Sequence, residues 1–150
     1  MVAYNFDVSM ARPIIFGERV SCLKPKREKP HVQIGQLIHA FCGNVPPDFN
    51  HSPDCHRLMT VPCLSSVPMT VDAQGAVVDG QRKVNPEWYK VFAEAEGFGS
   101  FAELQVHYDK VHGFPYEGQY IRWNPSQAEF RAAWPLIPRK YYKVAEAGEE

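Results

Sequence analysis

The chain carries thirteen prolines in 150 residues, which is too many for a fold built on long helices. Proline lacks the amide proton that both helices and sheets use in hydrogen bonding, so it is tolerated at strand edges, in turns and at the first turn of a helix. The proline content therefore predicts a fold of strands and turns with only short helices.

Composition indicates a single globular protein without a strong overall charge. The hydrophobic fraction is 45%, the charged fraction is 22% and the formal net charge is −1, so any nucleic-acid binding must come from a local patch. No apolar run reaches the ~18 residues of a membrane span, and no signal peptide is expected. We therefore predict a cytoplasmic protein without membrane contact and with reduced cysteines.

Alternating apolar residues and turn signals predict a strand-rich order of elements. A short helical turn is expected at 10–16, a basic loop at 24–30 and a longer loop at 44–54. The strand at 58–71 can be one element or two that are broken near Pro62 and Pro68. The predicted strands are 2–8, 18–23, 37–42, 58–71, 76–78 and 117–123.

Two consecutive helices have the clearest local signals. Asn85 is a suitable N-cap for the first, with a proline directly after it, and Ser100 with Glu103 predicts a capping box for the second. Glycines at 97 and 113 supply the stops. The predicted buried faces are Trp88, Val91, Phe92 and Ala95 on the first helix, and Phe101, Leu104, Tyr108 and Val111 on the second.

The residues after 124 are interpreted as a C-terminal extension to a domain formed by 1–124. Within 125–150, Ser126 and Glu129 predict a further capping box and a helix that ends at Pro135. The last residues are expected to be disordered. From pattern alone, the fold class is a small, barrel-like α+β protein.

Several runs of sequence are similar to ASCH domains of bacteria and phages, a family in the PUA-like superfamily. The specific part is residues 92–104 (FAEAEGFGSFAEL), followed by 112–118 (HGFPYEG) and 121–123 (IRW). Weaker likeness lies at 35–43 and 55–58, and the similarity covers roughly 4–123. The resemblance implies a PUA-like β-barrel with an inserted pair of helices before the last strand, and a cleft that binds RNA.

Some small ASCH proteins hydrolyse N4-acetylcytidine with a lysine, a threonine and a glutamate, and this chain departs from that pattern. Arg19 stands in place of the lysine and Cys22 in place of the threonine, whereas Glu96 matches the glutamate. Arginine stays protonated and cannot act as a general base, although it can lower the pKa of a nearby thiol nucleophile. We keep an amidohydrolase as an alternative and do not predict an enzyme.

The leading prediction is binding of RNA, another nucleic acid or a nucleotide. Four cations crowd the loop at 24–29, where they can meet several phosphates, and an arginine beside an aromatic ring suits base stacking. A solvated loop and a core tryptophan are the competing interpretations. The predicted contact residues are Arg19, Lys24, Lys26, Arg27, Lys29, Arg122 and Trp123.

A zinc site and a scaffold role were weighed against nucleic-acid binding. The six candidate zinc ligands, His39, Cys42, His51, Cys55, His56 and Cys63, contain no Cys-x-x-Cys pair, so no metal or cofactor is predicted. The altered motif at 17–24 and the aromatic C-terminal extension motivate a third hypothesis. It is a phage-associated scaffold that binds a protein partner.

Overall fold

The computed structural model describes residues 2–7, 10–42 and 56–130 and confirms the α+β class. The loop predicted at 44–54 and the tail beyond 130 lie outside the described residues. The helices are α1 (Ala11–Ile15), α2 (Pro86–Ala95) and α3 (Phe101–Val111). The strands are β1 (Val2–Phe6), β2 (Ser21–Pro25), β3 (Leu37–Cys42), β4 (His56–Asp72), β5 (Gly75–Val78), β6 (Gln81–Arg82), β7 (Tyr116–Trp123) and β8 (Glu129–Phe130).

The chain forms two compact units. Unit 1 comprises Met1–Val20, Gly35–Cys63 and Trp123–Glu150. In it, β1 runs parallel to β3, β3 pairs antiparallel with β4, and β8 pairs antiparallel with β4. Along the strands, alternate residues are apolar and face the core, as expected for strands with one buried face. Apolar residues of α1 also pack into this core. The largest buried side chains of this unit include Tyr4, Phe6, Ile14, Ile38, Leu58 and Trp123.

Unit 2 comprises Ser21–Ile34 and Leu64–Arg122. Here β2 pairs antiparallel with β7, and β4, β5 and β6 form an antiparallel meander. The two longer helices, α2 and α3, pack with these strands around one apolar cluster. Its buried members are Leu23, Met69, Val71, Ala76, Phe92, Ala93, Leu104, Tyr108 and Tyr116.

The predicted helix caps of unit 2 are confirmed. Asn85 Oδ1 accepts a hydrogen bond from the N–H of Glu87 at 2.9 Å, and Ser100 Oγ accepts one from the N–H of Glu103 at 3.2 Å. These bonds satisfy amide groups that a helix start otherwise leaves without partners. Glu103 Oε2 accepts a hydrogen bond from the N–H of Gly99, the residue before the N-cap Ser100. In a regular capping box this bond comes from the N–H of the N-cap residue itself, so the box is displaced here by one residue.

The buried faces of the helices differ from the predicted ones at two valines. On α2, Phe92 and Ala93 are buried, whereas Val91 is 57% exposed. On α3, Leu104 and Tyr108 are buried and Val111 is exposed. The buried stripe of each helix is therefore narrower than the sequence pattern suggests, because Val91 and Val111 lie outside the face that packs on the apolar cluster.

Strand β4 is a single element of 17 residues, which decides between the two alternatives left open for 58–71. Pro62 pairs with Leu37 at the end of the β3 register, and the next amide, of Cys63, donates to Gln36. The carbonyl of Pro68 accepts from the N–H of Asp79 at 2.9 Å. Both prolines thus lie where the missing amide proton does not interrupt the strand.

Two further features modify the predicted architecture. In the part of the chain that the structure describes, the strand pairings do not form a closed ring, so they do not establish a barrel. The helix pair precedes β7 as predicted, but the short strand β8 follows. No helix of the described residues is long and apolar enough to cross a membrane.

The helix predicted from Ser126 does not begin there, and its predicted continuation at 131–135 lies outside the described residues. A 3-10 turn at Pro125–Gln127 begins instead at Asn124, whose Oδ1 accepts hydrogen bonds from the N–H and hydroxyl of Ser126. Glu129, the expected capping partner, lies in β8 opposite Thr60. Pairing with the edge of β4 therefore takes precedence over the local helix signal.

Candidate functional site

The loop that follows β2 forms one wall of a cleft of about 370 Å³ within unit 2. The loop wall is made by Lys26, Arg27, Lys29, Pro30, His31 and Gln33. The opposite wall comes from β4 and β7, and its residues are Pro68, Met69, Thr70, Glu117, Gly118 and Gln119. We call this the basic cleft. It brings three of the predicted contact residues, Lys26, Arg27 and Lys29, to one surface.

The loop wall is held by hydrogen bonds to its own main chain. Arg27 Nε donates to the carbonyl of Lys29 at 3.2 Å, and its second guanidinium nitrogen donates to the carbonyl of Pro30 at 3.3 Å. His31 Nε2 lies 2.9 Å from the carbonyl oxygen of Pro25. Val32 is completely buried and anchors the loop to the unit. These contacts give the wall a definite shape although its outward side chains are exposed.

The charge on the basic cleft is positive despite the net charge of the molecule. The lining of the cleft carries three cations, Lys26, Arg27 and Lys29, and one carboxylate, that of Glu117. Lys26 Nζ lies 3.7 Å from Glu117 Oε2, and both side chains are mostly exposed. Such a pair contributes little to stability and is readily exchanged for another anion.

The histidine of the loop wall is an uncharged group at neutral pH. Burial is the main cause that lowers the pKa of His31, and the cations Arg27 and Lys24 act in the same direction. The hydrogen bond to Pro25 opposes them. A neutral imidazole offers a flat ring and one nitrogen donor or acceptor to a ligand.

The strand wall supplies neutral polar groups. Gln119 Nε2 donates a hydrogen bond to Ser66 Oγ at 2.9 Å, and this bond holds the carboxamide of Gln119 in place. The bond uses one N–H of the carboxamide and leaves out its carbonyl oxygen and its second N–H. Thr70 adds a hydroxyl, and Met69 and Pro68 add apolar surface. Gly118 allows the strand to approach β2 closely, because an added Cβ would lie 2.5 Å from the carbonyl oxygen of Lys24.

The residues predicted for catalysis fall into different surroundings. Cys22 is 1% exposed in β2, where it pairs with the buried Ile121. Glu96 ends α2, and its Oε1 accepts a hydrogen bond from the N–H of Leu23 at 3.3 Å. Burial raises the pKa of Tyr116 to about 12, and the charges of Glu96 and Cys22 act in the same direction. Glu96 therefore contacts β2 at the residue next to Cys22, whereas Arg19 belongs to unit 1.

Arg19 and Trp123 belong to unit 1 and are both buried. Arg19 is 8% exposed, with its guanidinium carbon 5.8 Å from the centre of the Phe6 ring. Trp123 is 2% exposed and meets the same ring edge-on at 6.2 Å. A covered guanidinium and a covered indole have no surface for phosphates or bases, so these positions give no support to the predicted contacts.

The remaining predicted contacts lie on the β2–β7 pair. Lys24 is half-buried opposite Gln119, at the border of the basic cleft. Arg122 is exposed and pairs with Ser21, three residues further along β7 than Gln119. It therefore lies outside the set of residues that line the cleft.

No protein-family model, curated protein or solved structure matches the chain. The likeness to ASCH domains thus stays an expectation from the sequence.

Cys22, Cys42 and Cys63 are buried thiols, and no group of three potential metal ligands occurs among residues 2–7, 10–42 and 56–130. The geometry of the basic cleft is the main guide to function.

The site has four members that the sequence pattern did not predict, His31, Gln33, Thr70 and Gln119. His31 follows directly on the basic loop, so its position was the available signal. Gln119 lies opposite Lys24, but that register follows only from the pairing of β2 with β7. Thr70 joins the site through the course of β4, which the sequence pattern left undecided.

Proposed function

We propose that this protein binds single-stranded RNA through the basic cleft. The observation that carries the proposal is the placement of Lys26, Arg27 and Lys29 on one wall of a cleft of about 370 Å³. Clustered cations that meet phosphates release counterions from the RNA, and this release supplies most of the sequence-independent affinity. The PUA-like barrel of the ASCH resemblance and a cytoplasmic location are part of the same proposal.

A single strand fits this site better than a duplex. A double helix is recognised by shape over an extended surface, whereas a narrow cleft admits an unpaired strand whose bases can turn away from the phosphates. The neutral side chains of the strand wall, Thr70 and Gln119, suit contact with bases rather than with phosphates. The cations and the neutral groups therefore serve two different parts of the same ligand.

Neutralising two lysines of the loop wall weakens RNA binding about tenfold at roughly 0.1 M salt. The variant is Lys26→Gln with Lys29→Gln, and the ligand is a labelled single-stranded RNA followed by fluorescence anisotropy over a salt series. The slope of log affinity against log salt falls by about 1.4, because each lost phosphate contact contributes roughly 0.7 for a single strand. Both lysines are exposed, so folding is unaffected.

The matched control replaces Lys90 and Lys110 with glutamine. These lysines are exposed on α2 and α3 and do not line the basic cleft. Their replacement changes the net charge of the protein by the same amount as the replacement of Lys26 and Lys29. The control variant keeps the affinity and the salt slope of the unchanged protein. Equal losses in the two variants contradict binding at the cleft, and affinity that does not depend on salt contradicts the phosphate contacts altogether.

The amidohydrolase alternative has less support. The contact of Glu96 with Leu23, the neighbour of Cys22, favours it, but a substrate cannot reach a thiol that is 1% exposed without opening of the strand. The carboxylate of Glu96 is engaged with the main chain of β2. The scaffold alternative depends largely on residues 131–150, which lie outside the described residues.

A further inference from the structure

The two walls of the basic cleft differ in chemistry, and this difference bears on the ligand. The loop wall carries the cations Lys26, Arg27 and Lys29, whereas the strand wall carries an amide, a hydroxyl and apolar atoms from Gln119, Thr70 and Met69. A site with one charged and one neutral wall suits a ligand that has one anionic end and one neutral end.

The size of the basic cleft narrows the class of ligand further. A volume of about 370 Å³ lies near the lower end of the range for small-molecule pockets, roughly 300–1,000 Å³. That space holds one heterocycle with its sugar phosphate. It does not hold several stacked bases, so a longer strand must leave all but one of its nucleotides outside.

The polar groups of the strand wall are arranged for recognition of a base edge. The bond from Gln119 to Ser66 holds the carboxamide in place, and a carboxamide offers one acceptor and one further donor in the same plane. Such a paired donor and acceptor matches the hydrogen-bonding edge of a nucleobase. On the opposite wall, the flat ring of His31 offers a surface on which a base can stack, and Pro30 adds apolar surface beside it.

From these features we infer that the basic cleft is a pocket for a single nucleotide, which holds the phosphate on the loop wall and the base on the strand wall. The inference rests on the proposed function, because it assigns the part of the RNA that enters the same cleft. A free nucleoside 5′-monophosphate is therefore a ligand in its own right. In this pocket Lys26 and Lys29 hold the phosphate of a free nucleotide, or the two phosphates that flank the bound nucleotide in RNA, and Gln119 and Thr70 contact the base.

Isothermal titration with the four nucleoside 5′-monophosphates and with ribose 5-phosphate tests the inference. At least one nucleotide binds with a dissociation constant of roughly 0.1–1 mM, and ribose 5-phosphate binds at least tenfold more weakly. Gln119→Ala reduces the affinity for the nucleotide about tenfold and leaves that for ribose 5-phosphate unchanged. Gln81→Ala, an exposed glutamine outside the cleft, changes neither affinity.

The RNA titration described above separates the two proposals. RNA binding without any nucleotide binding, or equal binding of nucleotide and ribose 5-phosphate, overturns the single-nucleotide pocket and leaves RNA binding intact. Absence of RNA binding overturns the proposed function, and the nucleotide titration then decides the pocket by itself. A Gln119→Ala variant that melts at the unchanged temperature and still prefers the nucleotide shows that the base is not read by the strand wall.

Discussion

Replacing Phe92 with alanine lowers the free energy of unfolding by about 3–5 kcal/mol. Phe92 is 2% exposed, and its ring is stacked on Trp88 at 5.1 Å between centroids. It also meets Tyr120 edge-on at 5.6 Å and Phe101 at 6.4 Å. The truncation leaves a cavity among rings that cannot collapse independently, because each is fixed by other neighbours. Chemical denaturation followed by tryptophan fluorescence and circular dichroism measures the loss.

Val91→Ala is the matched control on the same helix. Val91 is 57% exposed and precedes Phe92, so its truncation opens no cavity. Alanine also has the higher helix propensity, and the free energy of unfolding changes by no more than about 0.5 kcal/mol in either direction. Comparable losses in the two variants are incompatible with the described orientation of α2.

Gly75→Ala lowers the free energy of unfolding by about 2–5 kcal/mol. Gly75 has a φ of +135°, a region that residues with a Cβ rarely adopt. An added Cβ also overlaps the hydroxyl of Tyr89, which accepts a hydrogen bond from the N–H of Ala76 and donates one to the carbonyl of Lys83. The substitution therefore adds backbone strain of about 1–2 kcal/mol. It also displaces the Tyr89 hydroxyl from the main-chain groups that it satisfies, which costs about 1–3 kcal/mol.

Gly80→Ala separates the strain from the overlap. Gly80 has a φ of +81°, but an added Cβ there has no atom within 4 Å, so only the strain of about 1–2 kcal/mol is expected. In a Tyr89→Phe background, the cost of Gly75→Ala becomes smaller, because the hydroxyl that it displaces is gone. The four variants are Gly75→Ala, Gly80→Ala, Tyr89→Phe and the double variant of Gly75 and Tyr89. Their thermal and denaturant unfolding measures the coupling energy between positions 75 and 89. Equal costs at Gly75 and Gly80 contradict the contact with Tyr89.

The parts of the fold that the sequence predicted are those with local physical causes. Asn85 and Ser100 carry side chains that can satisfy helix amides, and both cap as predicted. The strand predicted at 76–78 forms as β5, which begins at Gly75, where the left-handed φ calls for glycine. The strand Leu37–Cys42 has the predicted bounds, because glycines at 35 and 43 lie on either side of a run in which only His39 is polar. Each of these signals acts within about four residues.

The parts that the sequence did not predict depend on contacts between distant segments. Val91 and Val111 fit a helical stripe, but the rotation of each helix is set by the sheet beneath it. Ser126 and Glu129 have the spacing of a capping box, yet pairing of Glu129 with Thr60 draws that segment into a strand. Local propensity is a weak preference that tertiary packing overrides.

The candidate site was predicted in part for the same reason. Lys26, Arg27 and Lys29 are close in sequence, and proximity along the chain placed them on one loop. The strand wall brings together Thr70 and Gln119, which are 49 positions apart, so its composition follows only from the fold. Arg19 and Trp123 have residue types that suit phosphate and base contacts, but the packing of unit 1 covers both.

The main-chain bonds of Arg27 and His31, with the buried Val32, have a consequence for the speed of recognition. A ligand that arrives at the basic cleft encounters a surface in its final conformation, so little chain entropy is lost when the complex forms. Encounter between the partners, rather than a rearrangement of the protein, then limits the rate of association. That rate should rise steeply as the ionic strength falls, because opposite charges attract over longer distances in dilute salt.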